Sequence, residues 1–273
     1  GVTMDMVNVA QVDTDISPFG LGSFATRGTL MGGNGVLAAA KDAYDQMADI
    51  AADMLNTKAA DVACRKAMFF SKSSSETKIS FQDIASEATI RHHGAPIVGT
   101  GFYKPPTELP DPDTKKGNIS PAYPFGCQIA EVEVDPDTGQ VSVTNFVAAH
   151  DVGRAINPMA TVGQIQGGIA QGLGWTLMEN MAYEDGKMIN ADFVDYIVPS
   201  CFDIPDIKAI LVEPIEPNGP YGAKGIGEPA LNPTMAAITN AIYDATGVRI
   251  KELPVNPQKL LAQIQKLGKH VKE

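Results

Sequence analysis

A single carboxylate, Glu228, sits in a segment crowded with glycine, Gly219-Pro-Tyr-Gly-Ala-Lys-Gly-Ile-Gly-Glu-Pro229. Glycines admit a bulky group close to the backbone and permit positive φ. A carboxylate pressed against such a group and partly desolvated has a raised pKa, which suits a general base near neutral pH. The same placement also suits a plainer role, complementing the dipole of a following helix. A second candidate is the Gly- and Ser-rich loop over 18–29, which leads through Gly32-Gly-Asn-Gly35 into a strongly periodic apolar stretch. Free N–H groups and the helix dipole converge at such a junction and can cradle an anion, although such loops also serve as simple turns. The third is Asp151-Val-Gly-Arg-Ala-Ile-Asn-Pro158, followed by Gln164, Gln166 and Gln171 interleaved with Gly163, Gly167, Gly168, Gly172 and Gly174. Each glycine inside a helix costs about 1 kcal/mol relative to Ala, so the pattern implies that something large approaches the backbone there.

Other reactive residue types have plainer readings. Asp13 and Asp15 form a DxD at a strand end, a possible metal pair but also ordinary turn and capping chemistry. His150 reads as a satisfied buried histidine, and His92-His93 as the end of a helix, where a cation is favoured. His270 completes the histidines, and no HExxH pattern occurs. Cys64, Cys127 and Cys201 lie more than sixty residues apart, which excludes CxxC zinc or sequence-local iron–sulfur motifs. That spacing also argues against a disulfide framework and for a reducing, cytoplasmic setting. Trp175 and the methionines read as core or interface fill.

The elements that must position these groups read as α+β. A strand is expected over 4–11 and a helix over 36–55, where Val36, Ala39, Ala40, Ala43, Met47, Ile50, Ala51 and Met54 recur at helical steps. A short strand at 78–80, a helix over 81–92 and a strand over 96–101 follow. The stretch 103–121 is a long polar loop, either a surface excursion or a substrate- or subunit-facing segment. A hairpin pairs 127–134 with 140–149 around the turn Asp135-Pro-Asp-Thr-Gly139. A glycine-rich helix over 161–179, a strand over 207–212, a helix over 234–245 and a terminal helix over 257–267 complete the pattern. No clean interdomain linker or repeat is visible; a boundary between two α+β subdomains would fall near 95–125.

The 273 residues carry 21 Lys+Arg against 32 Asp+Glu, a formal net charge of −11. That sign opposes a nucleic-acid or anionic-membrane partner, because phosphate binding relies on clustered Lys and Arg. Hydrophobic residues make up 44%, enough for a substantial core, but no apolar run approaches the roughly 18 residues of a membrane span. The chain begins with Gly1 and enters the strand-like run almost at once. The expectation is a processed chain, a split subunit or a fragment of something longer.

Four collinear motifs carry a resemblance. Asp13-Thr-Asp15 with Gly22-Ser-Phe-Ala-Thr-Arg27, then His150-Asp-Val-Gly-Arg-Ala-Ile-Asn-Pro158, Gly163-Gln-Ile-Gln-Gly-Gly-Ile-Ala-Gln-Gly-Leu-Gly174 and Gly222-Ala-Lys-Gly-Ile-Gly-Glu-Pro229 resemble the molybdenum hydroxylases. These are the xanthine dehydrogenase and aldehyde oxidoreductase family, with its carbon monoxide dehydrogenase and hydroxybenzoyl-CoA reductase branches. The match covers essentially the whole chain and corresponds to the C-terminal part of the molybdopterin-binding subunit. The resemblance implies that Glu228 is the base, deprotonating a Mo-bound hydroxyl or water whose oxygen attacks a substrate carbon while hydride passes to a sulfido ligand. Electrons would leave through iron–sulfur clusters to a flavin (FAD) on partner chains. It further implies that Gln164 touches the pterin, and that Ala25, Thr26 and Gly28, with Ser23 and Arg27 nearby, contact the molybdopterin cofactor, in some relatives a cytosine dinucleotide. The family's upstream half, with its own pterin contacts, is missing. The implied oxidoreductase is therefore incomplete as a lone chain and would need the N-terminal half of its subunit together with iron–sulfur and flavin subunits. Two rivals remain: a noncatalytic assembly subunit, and a phosphate- or nucleotide-binding protein using the 20–35 loop. The second lacks both a Walker lysine pattern and a strand–GxGxxG–helix fingerprint.

Overall fold

A computed structural model describes residues 1–15 and 17–268; His270 lies outside the described residues. In chain order the elements are α1 (Gly33–Met54), β1 (Val62–Arg65), β2 (Met68–Ser71), β3 (Lys78–Ser80), α2 (Phe81–Arg91), β4 (Gly126–Val134), β5 (Val141–Asp151), α3 (Pro158–Leu177), β6 (Tyr183–Glu184), β7 (Lys187–Met188), β8 (Asp206–Val212), α4 (Gly227–Leu231), α5 (Thr234–Thr246) and α6 (Pro257–Leu267). The expected α+β class, with mixed sheets and packed helices, holds. The chain divides into two compact units: Gly1–Ser23 with Met31–Pro105, and Phe24–Leu30 with Pro106–Glu273.

In the first unit, β1-β2-β3 form an antiparallel meander. Met47, Ile50 and Ala51 of α1, Phe69 of β2, and Ile84 and Ala88 of α2 fill its core. Helix α2 starts in a capping box: Ser80 Oγ accepts from the Asp83 amide at 3.0 Å while the Asp83 carboxylate accepts from the Ser80 amide at 3.3 Å. The helix stops at Arg91, with His93 at φ 53° just beyond, so the paired histidines do end a helix.

Two expected strands are absent among the described residues. Residues 4–6 form a 3-10 turn, and 7–15 pair with no strand. Alternating Val7 and Val9 stay exposed, Val9 at 92%; apolar alternation yields a strand only where a neighbouring edge accepts its backbone hydrogen bonds. Residues 96–101 run against helix α1 instead of joining a sheet. A Cβ on Gly101 would meet Ala38 Cβ at 2.8 Å and one on Gly99 would meet Ala43 Cβ at 2.7 Å, so these glycines serve close helix packing. The DxD is turn chemistry: the Asp15 amide donates to Asp13 Oδ1 at 2.9 Å.

The second unit is a sheet of order β4-β5-β8, with β4 antiparallel and β8 parallel to β5. Helix α3 lies within the parallel crossover from β5 to β8, the connection such strands require. Phe146, Ala148, Ile165, Ile169, Leu173, Ile238, Ile242 and Leu260 make the core. Its helices are well terminated. Asn157 and Asn256 cap α3 and α6 through the Ala160 and Lys259 amides at 3.0 and 2.9 Å, each with Pro at the first position. Gly247, at φ 75°, closes α5.

Candidate functional site

Within the second unit the chain around Glu228 is fastened along its length. The Lys224 amide donates to the Val152 carbonyl at 2.9 Å, and the Arg154 amide donates to the Gly222 carbonyl at 2.8 Å. An isolated bridge joins Gly153 to Ala223. The loop is thus an antiparallel extension of the chain leaving β5. Reaching that path demands two left-handed residues in succession, Tyr221 at φ 52° and Gly222 at φ 87°, and only the second is free of steric cost.

Beyond it, Gly225 passes under the segment Phe24–Leu30. A Cβ at Gly225 would overlap the Thr26 carbonyl oxygen, so glycine is required there for close approach. The Gly227 amide donates to Thr26 Oγ1 at 3.0 Å, and the Ala25 amide donates to Glu228 Oε1 at 3.1 Å. Ala25 and Thr26 are both left-handed, at φ 49° each, a conformation costing non-glycine residues of order 1 kcal/mol apiece and found where the backbone is held for a purpose. Gln164, on α3, completes the cluster: a Cβ on Gly227 would stand 3.6 Å from Gln164 Oε1.

Four of the expected site residues therefore meet: Glu228, Gln164, Ala25 and Thr26. Arg27 and Gly28 follow in the same segment, with the Arg27 guanidinium 5.2 Å from the Phe24 ring centroid and Gly28 opening a π-helical turn, Gly28–Gly32. Ser23 belongs to the other unit. Glu228 lies within the first turn of α4 and is exposed, as are Gln164 and Ala25. Among the described residues the carboxylate is supported from one side.

The glycines of α3 divide by role. A Cβ on Gly168 would meet Ala230 Cβ at 2.7 Å, within the helix that bears Glu228, and one on Gly172 would meet the Thr234 side chain at 2.6 Å, so at these positions the approaching group is the chain's own. Gly163 and Gly167 face open space. Behind α4, Gln128 Nε2 donates to the Ala230 carbonyl at 2.7 Å and to His150 Nε2 at 3.0 Å, while Gln128 Oε1 accepts from Thr234 Oγ1 at 2.7 Å. With its Nε2 accepting, His150 carries its proton on Nδ1, which is buried and has no hydrogen-bond partner among the described residues. Burial pushes the His150 pKa below its ordinary value.

Beside this cluster, a cavity of about 200 Å³ is lined by Thr29, Arg154, Asn157, Thr161, Gln164 and other residues. Sequence reading did not assign Arg154, Thr161 or Lys224 a role, although all three stand in or near the quoted motifs. A cation or hydroxyl placed among glycines was the available signal.

Against known proteins, residues 1–205 match the family described as the molybdopterin cofactor-binding domain. The chain belongs to this family. It is 31% identical over 272 residues to the 6-hydroxypseudooxynicotine dehydrogenase complex subunit gamma of Paenarthrobacter nicotinovorans, covering 98% of this chain and 33% of that protein. It is also 31% identical over 274 residues to the xanthine dehydrogenase molybdenum-binding subunit of Escherichia coli O157:H7, covering 98% of this chain and 35% of that one. Among solved structures, carbon monoxide dehydrogenase from Oligotropha carboxidovorans superposes with a TM-score of 0.78 at 26% identity, over 93% of this chain and 31% of that chain. The chain thus spans about a third of the length of these relatives.

A molybdopterin cofactor-binding domain must receive a polar, phosphorylated pterin. The residues here fit one side of such a group. The cavity combines the Arg154 cation, the Thr29 and Thr161 hydroxyls and the Gln164 amide at the N-terminal end of the 20-residue helix α3, whose dipole favours an anion.

Proposed function

We propose that this chain is the part of a molybdenum-dependent hydroxylase that carries the active-site base, Glu228, and one side of the cofactor's shell. The observation that carries this reading is the convergence of Glu228, Gln164, Ala25 and Thr26 on one exposed patch from three separate stretches of sequence. Gln164, Arg154, Thr161 and the segment 25–28 would hold the pterin cofactor, whose molybdenum would supply a water-derived oxygen and take up the electron pair. Hydrogen bonding by the Ala25 amide occupies Glu228 Oε1 and orients the carboxylate, leaving Oε2 to accept the proton. Thr26 fixes the start of α4 through the Gly227 amide, so the base is held from both sides of its own peptide.

The rest of the site comes from another polypeptide stretch: the N-terminal half of the molybdopterin-binding subunit, with iron–sulfur and flavin subunits receiving the electrons. Exposed apolar side chains support such association. Phe193, Val194 and Phe202 are 82%, 82% and 95% exposed in the second unit, and Val9 and Phe19 of the first are 92% and 91% exposed, apolar side chains that a partner surface would cover. Cys64, Cys127 and Cys201 are free thiols, in keeping with a cytoplasmic setting, and no described helix is long and apolar enough to cross a membrane.

The test is Glu228→Gln in the assembled enzyme, with molybdenum content measured on the same sample. Loss of turnover by about 10²–10⁴-fold with molybdenum retained is the expected outcome for a general base. Unchanged turnover would remove Glu228 from the mechanism, and an assembly containing no molybdenum would favour the noncatalytic reading.

A further inference from the structure

Lys224 stands four residues before Glu228 and, unlike its glycine neighbours, brings a charge into the protein interior. Its side chain is 9% exposed, and the two carboxylates near it, Asp151 and Glu216, are 10% and 11% exposed. Lys224 Nζ donates to Asp151 Oδ2 at 2.6 Å and to the Tyr123 carbonyl at 3.1 Å, with Glu216 Oε2 at 3.8 Å. These partners come from the end of β5, the segment after β8 and the approach to β4. One ammonium therefore ties together three stretches of chain at the same end of the sheet. At the other end of the residue, the Lys224 amide is held by the Val152 carbonyl.

Removing an ammonium and two carboxylates from water is costly, and an apolar side chain of similar length would fill the same volume without that cost. What the charged arrangement adds is directionality: three oxygen partners around one ammonium favour the docked register of the loop. The next residue, Gly225, is the one tucked beneath the Thr26 carbonyl, and the chain then delivers the Glu228 carboxylate to the Ala25 amide.

We propose that Lys224 is a positioning residue for Glu228, its buried ammonium clamping the 222–228 loop to the strand ends so that the carboxylate stays on the Ala25 amide. This rests on the reading of Glu228 as the base. Lys224 also borders the cavity beside Gln164, but its charge is spent on Asp151, Glu216 and Tyr123, so it acts through Glu228 and not as a cofactor ligand.

The experiment uses the assembled enzyme with Lys224→Gln, Lys224→Arg and Glu228→Gln in parallel. Amide hydrogen exchange is read at Ala25, together with molybdenum content, kcat and KM. In Lys224→Gln the Ala25 amide exchanges about tenfold faster while the core of β5 keeps its protection. Molybdenum content and KM hold, kcat falls, and Lys224→Arg restores both protection and turnover. If Lys224→Gln does not fold, the neutral triple variant K224M/D151N/E216Q takes its place with the same expectation. Unchanged exchange at Ala25 in the folded variant overturns the proposal, as does loss of molybdenum with Ala25 still protected. The exchange result tests the clamp even if Glu228→Gln keeps full turnover, an outcome that would defeat the base reading instead.

Discussion

The Ala25 amide donates to Glu228 Oε1 at 3.1 Å across 203 positions of sequence. A left-handed Ala and a glutamate in a glycine loop have no local reason to meet. Their contact turns two separate motifs into one site, and its supports define what mutation should do.

Thr26 offers the first test. Its hydroxyl accepts from the Gly227 amide at 3.0 Å, and Thr26→Val removes that acceptor while keeping the shape. The expected cost is about 1–3 kcal/mol, the penalty for a half-buried amide left without a partner. Thr26→Ser should recover most of it, as read from urea unfolding midpoints of the three proteins.

Gly225→Ala probes the close approach. The added methyl overlaps a backbone carbonyl, that of Thr26, which cannot swing aside as a side-chain tip can. Displacement of the segment 24–30 by overpacking, at about 1–3 kcal/mol, should lower cofactor retention, measured as molybdenum per assembled enzyme. Retention equal to wild type would mean that the segment shifts without consequence for the cofactor.

A compensating pair examines the α3–α4 contact. Gly168→Ala drives its methyl to 2.7 Å from Ala230 Cβ and should destabilise the second unit by about 1–3 kcal/mol. Ala230→Gly vacates that space, so the double variant should be more stable than Gly168→Ala alone by thermal denaturation. Strict additivity of the two changes would argue against direct contact.

Acidification should weaken the second unit through His150. Burial depresses its folded-state pKa, so below about pH 6.5 the unfolded chain binds a proton that the folded form refuses. The stabilisation is complete above that pH and is lost as pH falls, at no more than about 1.4 kcal/mol per pH unit for one proton. Urea midpoints between pH 7.5 and 5 should therefore slope less steeply in His150→Leu than in wild type, whatever the variant's absolute stability.

Much of the fold was legible because its signals are local. The periodic apolar face of α1 and the Asp135–Gly139 turn each fix backbone geometry within a few residues, whereas α3 begins at Pro158, three residues before the expected 161, on an Asn157 cap that was not read. Where a pattern depended on a distant neighbour, local reading failed: residues 4–11 alternate like a strand but find no edge to pair with, and 96–101 lie across a helix. The β1–β2 hairpin was missed because Lys66 and Ala67, both left-handed, are not turn-forming types.

Glycine crowding, visible in one dimension, drew attention to Glu228, to the 18–35 loop and to the 163–174 stretch; it was the family resemblance that implied Gln164 and the 23–28 contacts. Only the tertiary structure decided that Ala25 and Thr26 hold that carboxylate from across the sequence, while Ser23 falls in the other unit. It also decided that Gly168 and Gly172 serve helix packing and that Lys224 is buried between two carboxylates. A residue type limits what a side chain can donate, accept or permit. Which partner it meets depends on the packing of elements far apart in sequence, and no local pattern encodes that distance.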